Sequence, residues 1–187
     1  MTRPEPPRPR QRGYTLAELM AVVVIIAVLA TLATAGFRKY VLSSRSVEAV
    51  HMIGSIKTAQ ESYRDETFTY LNVTQGTLNA DTSLYPQGEL PTRGRKWAWD
   101  SPHHPDRARW FRLGIQSDEP VMFGYTCKAG SGAVDVTTGT EKAMNWPSST
   151  GPWYVVRATA DHDPGGKKAI FIGSNFTAEI YSENEDD

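Results

Sequence analysis

The chain has 187 residues, 40% of them hydrophobic and 22% charged, with a formal net charge of −1. That length fits one domain plus an appendage, and the near-neutral balance argues against the broadly basic surface of a general nucleic-acid binder. Cys127 is the single cysteine, which excludes an intrachain disulfide.

Residues 1–13 hold Pro4, Pro6, Pro7 and Pro9, and set Arg3, Arg8, Arg10 and Arg12 against Glu5, a net +3 that leaves −4 on the remainder. Such a segment cannot bury a core and is expected to be disordered. Its charge keeps it cytoplasmic by the positive-inside rule. From Leu19 to Phe37 run 19 residues without a charge. As a helix they would reach about 29 Å, enough for a bilayer core of roughly 30 Å, and lipid leaves backbone groups no partner outside a helix. Glu18 stands at the mouth of this run, where a carboxylate calls for a partner and a role. Beyond it, Phe37, Tyr40, Val41, Val47, Val50, Ile53, Ile56, Ala59 and Tyr63 recur in steps mostly of three and four, an amphipathic pattern with one buried stripe. One helix from about Tyr14 to Arg64 is predicted, apolar all round in its first half and on one face in its second.

Gly13-Tyr14-Thr15-Leu16-Ala17-Glu18-Leu19-Met20 resembles the processing motif of type IV pilins and type II secretion pseudopilins: a basic leader ending in Gly, an aromatic residue, Thr-Leu-x-Glu, then an apolar helix. The resemblance extends over about residues 8–65. It implies that Gly13 ends the leader and that prepilin peptidase exposes and N-methylates Tyr14. It also implies that Glu18 pairs with the Tyr14 amine of a neighbouring subunit to set register, the best-attested use of a buried ion pair. Two departures stand out. Tyr14 replaces the usual Phe, and Ala35-Gly36 stand where the family often breaks the helix with Pro. A conventional signal peptide cut after Ala33-Thr34-Ala35 would have an apolar region of about 7–15 residues; this one is longer and carries Glu18. A plain single-pass anchor would leave Glu18 without a purpose.

Residues 66–106 are rich in turn formers and are expected to connect helix to sheet, with short helical turns near Asp81–Leu84. Strands are expected at 109–115, 121–127, 133–137, 153–160, 168–173 and 176–181, from β-branched and aromatic runs between turns. The fold expected is α+β: a long N-terminal helix packed against a C-terminal antiparallel sheet, matching the ladle-shaped pilin subunit. The divisions are residues 1–13 (leader), 14–37 (membrane or filament-core helix), 38–65 (amphipathic helix) and 66–187 (head).

No catalytic constellation is present in the sequence, and no cofactor is expected. His103-His104 with Asp106 lacks zinc-motif spacing. Asp161-x-Asp163 could offer oxygens to Ca²⁺, but supplies too few without help and is read first as a hairpin turn. Arg93, Arg95, Lys96, Trp97 and Trp99 mix cations with aromatics, which suits either a loop folded down on its indoles or capture of a ligand such as DNA by charge and stacking. The resemblance therefore implies a filament subunit, taken as a minor pilin. Its partners would be other pilin subunits, prepilin peptidase, the inner-membrane assembly platform and, before assembly, the bilayer. A type II pseudopilin and a DNA-binding competence pilin are the alternatives.

Overall fold

The computed structural model describes residues 14–161 and 167–185, the side chains of 35, 38, 39, 42 and 43 excepted. Residues Met1–Tyr40 and Val41–Asp187 form two separate compact units. Helix α1 (Leu16–Thr67) matches the predicted helix within three residues at either end. Within the first unit it is exposed at every described position. Thr31 and Thr34 donate their hydroxyls to the carbonyls of Val28 (2.7 Å) and Thr31 (2.8 Å), so their polarity is spent inside the helix.

In the second unit α1 buries Ser46, Ala49, Met52, Ile53, Ile56 and Gln60. This stripe shares Ile53 and Ile56 with the expected one and departs from it nearer its start: Val47 and Val50 are 64% and 43% exposed, and the small residues Ser46 and Ala49 are buried instead.

The sheet is an antiparallel meander in the order β1-β2-β3-β4, comprising β1 (Gly124–Ser131), β2 (Pro152–Ala160), β3 (Ala169–Ser174) and β4 (Tyr181–Glu183). The α+β architecture expected from the sequence is what forms. One face of the sheet carries Tyr125, Cys127, Tyr154, Val156 and Phe171 into the core shared with Ala49, Ile53 and Ile56. The other face carries Trp153, Val155, Ile170 and Ile172, which pack with Leu78 and with Val134, Met144 and Trp146 of the long β1–β2 connection.

Three predicted strands fail for identifiable reasons. Residues 109–115 do not form a strand; Arg107–Arg112 is a short helix, α2. Asp106 precedes it, the Arg109 guanidinium lies 3.6 Å from the Asp106 carboxylate, and Gly114 takes a positive φ of 79° just past its end, the usual glycine stop. Residues 133–137 form no strand, and the 176–181 strand is absent except at Tyr181, where β4 begins; Phe176 turns aside onto Trp146 (centroids 6.1 Å apart). The 121–127 strand begins three residues late because Val121 exchanges backbone hydrogen bonds with Trp97 (2.8 and 2.9 Å). The 3₁₀ turn at Asp81–Ser83 falls where helical turns were expected.

The C-terminal region is held by polar contacts. Lys57 Nζ donates to the carbonyls of Thr177 (2.7 Å) and Ala178 (3.3 Å), and Tyr154 N–H donates to Asn175 Oδ1 (3.0 Å). Buried Cys127 receives Gln60 Nε2 at 3.2 Å, and burial pushes its thiol up to about 12.

Gly173 marks a close approach of helix to sheet, since a Cβ there would meet Ile53 Cγ2 at 2.5 Å. Gly173→Ala should lower the unfolding free energy of the second unit by about 1–3 kcal/mol, as over-packing does. Gly36→Ala, with nothing within 4 Å of the added carbon, should leave that unit unchanged. Thermal unfolding of the detergent-solubilised chain measures both, and equal midpoints for the two variants would contradict the packing described.

Candidate functional site

The start of α1 is built by reciprocal hydrogen bonds. Thr15 N–H and the Thr15 hydroxyl both donate to Glu18 Oε2 at 2.8 Å, while Glu18 N–H donates to Thr15 Oγ1 at 3.2 Å. This is a capping box, in which a Thr and a Glu three residues on satisfy each other's unpaired helix-end groups. The Thr15-x-x-Glu18 spacing is the sequence signature of this box. Glu18 is therefore locally engaged in the isolated chain. Tyr14 is 83% exposed beside it, and Gly13 lies outside the described residues. From Leu16 to Thr34 the helix is long and apolar enough to cross a membrane, with none of it buried within the chain.

The cation-aromatic stretch divides by chemistry. Trp97 is 7% and Trp99 2% exposed. Trp99 Nε1 donates to the Ile115 carbonyl at 3.0 Å, and its ring meets Tyr85 and Trp110 edge-on, 4.9 and 5.5 Å between centroids. Neither indole offers a free face for stacking bases. Arg93, Arg95 and Lys96 are exposed, and Arg93 N–H is anchored to the Asp161 carbonyl at 2.9 Å. The Arg45 guanidinium lies against Gly94, so α1 adds a fourth cation to this rim.

Lys96 borders a cavity of about 470 Å³ with Glu48, His51, Asp118 and Met122. Glu48 Oε1 accepts the N–H groups of Met122 (2.7 Å) and Phe123 (3.4 Å) and the Tyr125 hydroxyl (3.3 Å). Burial raises its carboxyl above the usual range, against the lowering pull of those donors and of Lys96.

His103 is exposed and His104 is buried. The ring of His104 accepts the Asp106 N–H at Nδ1 (3.1 Å), and burial lowers its basicity despite neighbouring Asp106. No group of three or more His, Cys, Asp or Glu suited to a metal occurs among the described residues. Residues 162–166, including Asp163 of the calcium suggestion, lie outside them. The described side chains thus bring together the capping box and the exposed apolar helix, and leave the cations of 93–96 exposed over buried indoles, the Arg95 guanidinium lying 5.7 Å from the Trp97 ring centroid.

Residues 8–34 match the family model of the prokaryotic N-terminal methylation motif. The chain is 44% identical over 62 residues to the type IV major pilin protein PilA of Myxococcus xanthus, covering 33% of this chain and 28% of that one. It is 42% identical over 52 residues to a fimbrial protein of Pseudomonas aeruginosa, 28% of this chain and 34% of the relative. It is also 42% identical over 53 residues to fimbrial protein EcpC of Eikenella corrodens, 28% of this chain and 35% of the relative. The chain thus spans about a third or less of the length of these relatives, which are named as pilin or fimbrial proteins and not as enzymes. No solved structure matches it.

Because the folded-state pKa of Glu48 is raised, its carboxyl favours folding most below the unfolded-state value near 4.5. That contribution is lost as pH rises through the folded value. Glu48→Gln keeps an acceptor for the three donors and removes the titration. Its unfolding temperature should therefore gain on the native chain as pH rises from about 4, levelling off once Glu48 is ionised. A pH-independent gap between the two melting curves would contradict this account of Glu48.

Proposed function

We propose that this chain is a structural subunit of a type IV pilus-like filament, made as a precursor, cut between Gly13 and Tyr14 and methylated on Tyr14. The observation that carries the reading is the uncharged stretch of α1 from Leu19 to Phe37, exposed at every described position and led by a Thr-Glu capping box. A helix apolar on every side is stable in lipid or among other apolar helices, and not in water. The bilayer holds it first, in the inner membrane, and copies of the same helix replace lipid when the assembly platform moves it into a filament. The motif at residues 8–34 and the pilin and fimbrial names of its relatives support this.

Glu18 then has two successive roles. In the single chain it caps α1. In the filament its charge meets the methylated Tyr14 amine of a neighbour, a buried pairing that fixes register more than it adds stability. The single cysteine and the 20-residue β1–β2 connection (132–151) suit a minor subunit better than a uniform shaft. The DNA-capture reading keeps only the exposed cations of 93–96 and Arg45, having lost its stacking platform, and no contact favours the pseudopilin reading.

Glu18→Gln separates the two roles, because Gln also completes a capping box. The variant should be processed normally, with Tyr14 as the first residue by mass spectrometry, and should retain native amide protection in the first turn of α1, yet fail to enter filaments. Thr15→Ala should fray that turn but still assemble. Filaments rich in Glu18→Gln subunits would remove the register role, and a mature N-terminus elsewhere than Tyr14 would remove the processing scheme.

A further inference from the structure

Arg157 occupies the middle of β2, between Thr126 of β1 and Ile172 of β3. It projects from the face opposite α1, where the neighbouring Thr126 hydroxyl donates to the Leu78 carbonyl at 2.7 Å. It is 2% exposed. Among the described residues, its Nε and Nη1 groups meet no acceptor. Burial lowers its basicity to about 10, and the carboxylate acting on it is Asp81. Yet both Asp81 oxygens are taken by Lys168 Nζ, at 2.9 and 3.2 Å. Two cations thus share one anion. A buried, incompletely paired guanidinium costs several kcal/mol unless something completes it.

The cover over this group is the irregular segment after β1. It turns at Gly139, whose φ is +76°, and a Cβ there would lie 3.7 Å from Arg157 Nη2 and 3.2 Å from Asn79 Cβ. Glycine lets the backbone close to this distance. Gly139 also lines a cavity of about 320 Å³ with Thr137, Thr138, Thr140 and Glu141. Glu141, the acid in that lining, is engaged by Lys167 at 2.8 Å. The rigid fork of an arginine matches the paired oxygens of a carboxylate or phosphate, and connections this long are usually functional or specifically packed.

We propose that Arg157 is the floor of a binding site for a small oxyanion of the carboxylate or phosphate class, closed over by the segment that turns at Gly139. The anion balances the second cation and ties the β1–β2 connection to the sheet. Free anion and a carboxylate presented by another chain share this chemistry, so the first test uses free probes.

The full chain in detergent is titrated with sodium phosphate or sodium acetate at constant ionic strength, with chloride as the balance. Unfolding temperature should rise and saturate for at least one probe. At twice the half-saturating concentration, opening-limited hydrogen exchange across 136–141 should slow about threefold. Arg157→Gln should lose both responses, and Arg157→Lys, which keeps charge without the fork, should lose most of them. An acetate response points to carboxylate, a response to phosphate alone points to phosphate, and either supports the site. No response beyond the chloride control, or an equal response in Arg157→Gln, overturns it, leaving the guanidinium served by water. Should Arg157→Gln not fold, exchange across 136–141 in the native chain still decides: no local slowing there refutes the proposal.

Discussion

The structure depends on a helix surface that stays exposed at every described position of the first unit. Between Leu16 and Leu32, eleven large apolar side chains are at least half exposed. Full burial of such a side chain stabilises by about 1.5–3 kcal/mol, so partial burial of the set amounts to something on the order of 10 kcal/mol. No cap or surface ion pair in the molecule approaches that figure. The demand can be met only by lipid or by other apolar helices, and the two environments differ in what they allow Glu18. At the helix mouth the carboxylate is served by Thr15 and by water, whereas in a helix bundle it needs a cation.

The same helix answers a second constraint further along. Past Tyr40 it turns a narrow stripe toward the sheet, and that stripe is set by what fits beneath it. Ile53 sits over Gly173, and Ser46 and Ala49 are buried along the same series. Val47 and Val50 are larger and stay outside, leaving α1 with exposed apolar side chains beyond the membrane-length run. These valines and the cationic rim of Arg45, Arg93, Arg95 and Lys96 give this region of the surface both greasy and charged elements.

Sequence pattern was informative where one face of an element decided its environment. Both halves of α1 were legible from charge distribution and periodicity, and β2 and β3 from dense β-branched and aromatic runs. The rest was obscured for physical reasons. The six residues of α2 are too few for periodicity to declare itself, and Trp110 and Phe111 look like strand residues until Asp106 and Gly114 are read as start and stop. Val47 and Val50 lie one position off the 46, 49, 53, 56 and 60 series that is buried, whose polar and small members hide it from a hydrophobicity pattern. Arg157 reads as the solvent-facing member of an alternating strand, because local sequence does not show that a distant connection returns to cover that face. The Thr15–Glu18 box is legible from its three-residue spacing.

The way Lys57 holds the 175–178 turn has a consequence for biogenesis. The tether is a set of hydrogen bonds, and the chain's lone thiol is sealed beneath Gln60. The head can reach its final form without an oxidising catalyst, and a reductant has no disulfide in it to cut.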